Sequence, residues 1–407
     1  MSPVEPAPSS RPLDVLLAAE AGVARPGGAE RFAIELLERL GERHRVRALV
    51  LGDPDLVVAW RSLAPGLELI EARPPGNGGG YWGRRRRRGE WLAQALGEVL
   101  AQDPADVVLG QLDSGCAALP AARDAGVPGA LLLAGYEALC HWAFVPGSGC
   151  LPATRCRACP RALALPAQER AELLLLRARH EAALRAARLL VAPSQAMAGA
   201  CERLCGRRPH VAAPVVRGMA PARARASGPA VLVSSVWSVA KGVELLAPIA
   251  RRLADRPVLI QAPNGLPDEH RSDLTSLSNV TVRESATEIA ALLDGASMVL
   301  VPSQHPEPFG RVAFEAMAAG VPMLASATGG LAEYVPHEQL VARFEDPGAW
   351  ATAVRALEGE RAWDAARRRG MAAATRVLAS DPPRRIEGWL VQVAAGADSG
   401  APSAVRA

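Results

Sequence analysis

Lysine is nearly missing from this 407-residue sequence: of 46 residues with basic side chains, Lys241 is the one lysine. Aromatic residues are also scarce, at 4% of the chain. No apolar run reaches the roughly 20 residues of a membrane-spanning helix, so none is expected. Met1 to Arg11 is a Pro/Ser-rich tail lacking the apolar centre of a signal peptide. The expectation is a cytoplasmic protein, at most peripheral to a membrane, in which stable disulfides do not form. A net charge of +4 is too small to argue for nucleic acid as a partner.

What the chain has in quantity is Ala, Gly, Pro and Arg, as a GC-rich genome would encode. Its apolar content of 49% is enough for large cores. The length suits two domains of about 150–200 residues each. Residues 1–214 read as one α/β domain, 215–229 as a Pro/Arg/Gly/Ala linker, 230–377 as a second α/β domain and 396–407 as a disordered tail.

Ser303 to Gly320 organises the second half. It lies between two apolar runs, Ala296 to Pro302 and Val321 to Ser326, that read as buried strands. Pro306, Pro308 and Gly310 prevent helix formation up to that point. From Arg311 the residues favour helix, and Gly320 stops it. Strand, loop, helix, strand is a parallel unit whose loop sits at the carboxyl edge of the sheet, where ligands bind in open α/β folds. A helix N-terminus there suits phosphate. Glu307 and Glu315 bracket the site and would repel phosphate, so they suit sugar hydroxyls. A sugar nucleotide carries both groups. The competing reading is a plain Arg311–Glu315 pair one helical turn apart, worth about 0.5 kcal/mol. It leaves the rest of the constellation unaccounted for.

This stretch resembles the nucleotide-sugar signature of the retaining family 4 glycosyltransferases. The resemblance rests on Glu307, Pro308-Phe309-Gly310, Glu315, Gly320-Val321-Pro322 and Thr328-Gly329-Gly330-Leu331-Ala332-Glu333. It implies the GT-B architecture: two Rossmann-like domains facing a central cleft, with a last helix within 378–395 crossing back to the first domain. It also implies transfer of a sugar from a nucleotide donor, UDP-linked by preference, to an acceptor hydroxyl without a catalytic metal. By the same resemblance Lys241, before Gly242, is the diphosphate lysine, and Arg311 with the helix start assists it. Glu315 takes the ribose diol, and Glu307 with the Phe309-Gly310 backbone takes the sugar. Thr328, Gly329 and Gly330 line the phosphate side, and Glu284 and Ser285 lie against the base. The arginine usual five residues before the lysine is Val236 here.

In the first half, Pro26-Gly27-Gly28 joins a strand over Leu13 to Ala19 to a helix over Arg31 to Gly41. Paired glycines there allow close backbone approach; the resemblance puts Gly27 and Gly28 under the diphosphate. The usual His–acidic pair on the acceptor side is replaced by Ala134 and Gly135, with Tyr136, Glu137 and His141 as substitutes. Asp53-Pro54-Asp55 imitates a metal motif but reads as a turn. The flexible loop Pro74 to Gly80 leads to five successive arginines, Arg84 to Arg88. These read as a solvated charge run or as an arm for an anionic acceptor or anionic lipid. Cys140, Cys150, Cys156 and Cys159 fall within twenty residues, and Cys156-Arg157-Ala158-Cys159 has the gap that directs two thiolates at one metal. Structural zinc and unligated thiols both fit. A nucleotide-sugar epimerase and a non-catalytic sugar-nucleotide-binding subunit are the other function classes compatible with this sequence. The composition suggests a secondary-metabolite or cell-envelope acceptor.

Overall fold

A computed structural model describes residues 11–20, 27–52, 54–63, 65–74, 80–140, 163–216, 228–234, 237–285 and 288–396. Within them, residues 11–140, 163–215 and 382–396 form one compact unit, and residues 228–381 fall in a second. Each unit is a parallel sheet with helical crossovers, a Rossmann-like arrangement.

Unit 1 has a seven-stranded parallel sheet ordered β3-β2-β1-β4-β5-β6-β7. The strands are β1 (Asp14–Glu20), β2 (Arg45–Leu51), β3 (Glu68–Ala72), β4 (Val107–Gln111), β5 (Gly129–Leu132), β6 (Leu189–Ala192) and β7 (His210–Val211). The helices between them are α1 (Gly28–Leu40), α2 (Pro54–Leu63), α3 (Tyr81–Gln102), α4 (Leu112–Asp124), α5 (Ala167–Ala186) and α6 (Gln195–Cys205). Parallel neighbours need such crossovers, because a tight turn cannot return the chain to the same end. Val15 to Ala19 of β1 are buried on both faces, as a central parallel strand requires.

Unit 2 is a six-stranded parallel sheet ordered β10-β9-β8-β11-β12-β13. Its strands are β8 (Ala230–Val233), β9 (Val258–Gln261), β10 (Val280–Arg283), β11 (Met298–Val301), β12 (Met323–Ser326) and β13 (Leu340–Val341). Its helices are α7 (Val243–Arg252), α8 (Asp268–Thr275), α9 (Ile289–Asp294), α10 (Arg311–Ala318), α11 (Leu331–Tyr334), α12 (Pro347–Ala356) and α13 (Glu360–Ala379). A last helix, α14 (Pro382–Ala394), returns to unit 1. Its Ile386, Leu390 and Val393 join Phe32, Leu36 and Leu40 of α1 in one apolar core. Asp381 adopts a positive φ of 44° between α13 and α14, and Pro382 opens the new helix.

Two local expectations are corrected. Where a turn was expected around Pro54, a helix, α2, begins with Pro54 at its first position, where the missing N–H costs nothing, and Asp53 lies outside the described residues. The arginine run is neither loop nor freely solvated: α3 begins at Tyr81 and includes Arg84 to Arg88, all half-buried. Two of the arginines reach partners on other elements. Arg86 pairs with Glu172 of α5 and with Glu90, and Arg88 Nε reaches Glu20 Oε1 at 2.5 Å. Helix α4 was hidden from the sequence by Gly115 and Pro120. Gly115 is needed because a Cβ there would sit 2.6 Å from the Gly110 carbonyl carbon of β4.

Candidate functional site

In unit 2 the chain leaves β8 toward β9 on one side and leaves β11 toward β12 on the other. The carboxyl ends of the adjacent strands β8 and β11 therefore form the switch point at which ligands bind in open α/β sheets. Three loops meet there: 238–242 after β8, 302–310 after β11 and 327–330 after β12.

Their closeness is enforced by backbone. Gly242 has φ +77°, and a Cβ on it would lie 2.1 Å from the carbonyl oxygen of Pro302. Gln304 N–H donates to Ala240 C=O at 2.8 Å, joining the first loop to the second. Gly329 has φ +56°, and its Cβ would lie 2.5 Å from Glu307 O. The Gly330 N–H donates to that same oxygen at 2.7 Å, joining the third loop to the second. No residue with a side chain fits either position without moving main chain.

Glu307 stands where the three loops converge, and only 6% of it is exposed. Lys241 Nζ lies 2.6 Å from its Oε1 and Ser303 Oγ donates to the same oxygen. The ring of His305, fully buried, places Nε2 3.7 Å away. Burial pushes the Glu307 carboxyl up, but Lys241, His305 and the hydrogen bonds outweigh it and hold the group down at about 2. Burial takes His305 down to about 4, with Lys241 adding to the effect, so the imidazole is neutral near pH 7. The result is one buried negative charge and one lysine whose side chain keeps 29% exposure.

Behind the loop, Phe309 stacks on Tyr334 at a centroid distance of 4.6 Å, and Phe314 meets Tyr334 edge-on at 6.0 Å. The Tyr334 hydroxyl donates to Gly310 C=O at 2.7 Å, fixing the residue that opens α10. Burial, then the Glu307 and Glu315 charges, raises the Tyr334 phenol well above its ordinary value, so it remains a donor.

The structure thus brings together Lys241, Glu307, Phe309, Gly310, Arg311, Glu315, Thr328, Gly329 and Gly330. Arg311 Nε and Glu315 Oε1 are 2.7 Å apart, with side chains 10% and 6% exposed. The one-turn ion pair set aside in the sequence is formed, inside the site. Glu284 and Ser285 follow β10 two strands away on the same sheet edge; Arg271 holds Glu284 at 2.5 Å. In unit 1, the Gly27 N–H donates to Glu30 Oε2 at 3.0 Å, and Gly28 begins α1. Burial raises the Glu30 carboxyl, against the pull of its own and the Gly27 backbone N–H groups. The start of α1 is therefore met by its own acid.

Tyr136 is buried and Glu137 half-buried in a short 3-10 turn, Tyr136–Ala138, whose last carbonyl accepts from Arg177 Nη1 at 2.8 Å. Cys140, two residues beyond this turn, is buried. His141, Cys150, Cys156, Cys159 and Val236 lie outside the described residues. Among the described residues, no group of three His, Cys, Asp or Glu side chains could hold a metal ion. Sequence reasoning assigned no role to Ser303, His305 or Tyr334. The only available signals were the spacing of Ser303 and His305 before Glu307 and the rarity of aromatics.

The fold is that of the GT-B class. A sucrose-phosphate synthase from Thermosynechococcus elongatus superposes with a TM-score of 0.71 at 18% identity, over 95% of this chain and 100% of that one. Anabaena HepE, solved in complex with UDP-glucose, gives 0.68 at 19% identity, over 94% and 100%. Residues 229–359 match the family described as glycosyl transferases group 1. Among curated proteins, a glycogen synthase of Mycobacterium tuberculosis is 45% identical over 97 residues, which is 23% of this chain and 22% of that protein. An MMP alpha-(1->4)-mannosyltransferase of Mycolicibacterium hassiacum is 33% identical over 135 residues, 31% of this chain and 33% of that protein. The chain therefore aligns with only about a fifth to a third of the length of these relatives. No helix is long and apolar enough to cross a membrane among the described residues.

Proposed function

We propose that the protein is a retaining glycosyltransferase that moves a hexose-type sugar from a nucleotide diphosphate sugar, by preference UDP-linked, to an acceptor hydroxyl. The observation that carries this reading is the Lys241–Glu307 pair at the switch point of unit 2, 2.6 Å apart and framed by glycines that let the loops pack main chain against main chain.

In this reading the donor enters between the pair. Lys241 Nζ turns from Glu307 to the diphosphate and neutralises the charge that grows on the leaving oxygen. Glu307, kept ionised, accepts from the sugar hydroxyls and helps orient the ring under an oxocarbenium-like transition state. The leaving diphosphate takes the acceptor's proton on the same face of the sugar, so neither glutamate need attack carbon. Glu315 accepts from the ribose diol, with Arg311 beside it to hold the carboxylate in place. Thr328, Gly329 and Gly330 line the phosphate side. No catalytic metal takes part. Tyr136 and Glu137 remain the acceptor-side candidates, and the acceptor is a hydroxylated small molecule or glycoconjugate, of secondary metabolism or the cell envelope.

Incubating the purified chain with labelled UDP, GDP and dTDP sugars plus cell extract tests the reading. A labelled conjugate supports transfer. An isomerised free sugar would mean an epimerase, and binding without turnover a non-catalytic subunit; either result ends the transferase proposal.

A further inference from the structure

We propose that Gln261 is a positioning residue that sets nucleobase preference, by tying the segment after β10 to the loop that carries Lys241. This rests on the donor reading above: with the diphosphate at Lys241, the nucleoside extends along the carboxyl edge over β9 and β10.

Gln261 is the last residue of β9, between those two loops, and is 1% exposed. Its side chain points one way and its main chain the other. Gln261 Nε2 donates to Ser285 C=O at 2.6 Å, while its own C=O accepts from Trp237 Nε1 at 2.9 Å. Trp237, itself buried, precedes Lys241 by four residues at the start of the same loop. One residue therefore spans from the lysine-bearing loop to the base-proximal segment.

The bond to Ser285 is not redundant with the sheet. The ladder between β9 and β10 ends where Ala262 N–H donates to Arg283 C=O at 2.8 Å. Beyond it Glu284 and Ser285 leave the sheet and are exposed. The Arg271–Glu284 pair restrains a side chain there; the Gln261 amide restrains the main chain.

The chemistry of the amide also fixes its orientation. A carbonyl only accepts, so the NH2 group must face Ser285, and Oε1 is turned away. Gln261 Oε1 is buried and meets no donor among the described residues. A leucine or methionine would fill this space without leaving an acceptor unmet. What the amide provides in return is its bond to Ser285, which sets how far the exposed backbone of 284–285 stands from the phosphate lysine. Backbone groups at a set distance and direction distinguish a pyrimidine edge from a purine edge; a phosphate site alone does not.

The test is calorimetric binding of UDP, GDP, ADP and inorganic pyrophosphate to the full chain and to Gln261→Leu, Gln261→Met and Gln261→Glu. Wild type is expected to prefer one nucleotide by about tenfold or more. The variants should lose that preference to within about threefold while keeping pyrophosphate affinity within about twofold. Gln261→Met keeps length and apolar packing should Gln261→Leu fold poorly, and thermal melting identifies variants that have merely unfolded. A preference unchanged in the folded variants overturns the proposal. So does a parallel loss of nucleotide and pyrophosphate, which marks a general structural role, or a wild type that binds nucleotides without preference. If wild type binds no nucleotide, the donor reading itself fails and takes this inference with it.

Discussion

Lys241 Nζ and Glu307 Oε1 lie 2.6 Å apart across two loops that leave different strands. The sequence's one lysine is thus matched to a buried carboxylate at the switch point. A guanidinium is a planar fork that suits paired acceptors, whereas an ammonium is a compact charge able to swing from one oxygen to another. That difference accounts for a lysine surviving where arginine has taken every other basic position.

Lys241→Ala should lower transfer by orders of magnitude and also destabilise unit 2, because Glu307 is left charged and buried. The stability loss should be at most about 3 kcal/mol, since Lys241 is partly exposed. The pair Lys241→Met with Glu307→Gln should regain stability in urea melts without regaining transfer. A single Lys241→Ala with near-normal transfer would rule out its role at the diphosphate.

Acid should weaken the site in two windows, and both have the same sign. His305 is depressed from 6.5 to about 4 in the folded protein, so the unfolded chain binds its proton first as pH falls. Its contribution is intact above 6.5 and is lost as pH falls toward about 4. Glu307, depressed from 4.5 to about 2, contributes fully above 4.5 and loses its contribution as pH falls toward about 2. Urea midpoints measured across pH should drop through both windows. Asn at 305 should flatten the upper one, and Gln at 307 the lower one.

Gly242→Ala should be among the most damaging single-methyl changes in unit 2. It places a Cβ 2.1 Å from Pro302 O at a left-handed φ of +77°. The left-handed backbone alone costs about 1 kcal/mol. A fall in melting temperature with loss of UDP binding is expected; an unaltered melt would contradict the loop contact.

Tyr334→Phe keeps the stack on Phe309 and removes the bond to Gly310 C=O. We expect about 1 kcal/mol less stability. Donor affinity should weaken too, since Gly310 opens α10. Differential scanning calorimetry with and without UDP separates the two effects.

How much of this was legible in the sequence follows from where each residue's partners lie. Strand β10 was readable to the residue, Val280 to Arg283, because its alternation is local. The switch-point loop was readable because its prolines and glycines act through their own backbone. The arginine run was misread because the acids that pair with it, Glu172 and Glu20, lie 86 and 68 residues away. Tyr334 was missed for the same reason: Phe309 and Gly310 are close to it in space but belong to another loop, and Phe314 belongs to α10. Helix α2 was missed because proline at a first helical position looks like a turn.

Helix α14 has a consequence for synthesis. Its Ile386, Leu390 and Val393 complete the core of unit 1, yet they emerge from the ribosome after every strand of unit 2. Folding order and sequence order therefore disagree. Unit 2 is complete once residue 381 has emerged, while unit 1, whose sheet was made earlier, waits with part of its apolar surface open until the last helix arrives. Nascent chains stopped before residue 382 should bind hydrophobic dyes and holdase chaperones through the half that was made first.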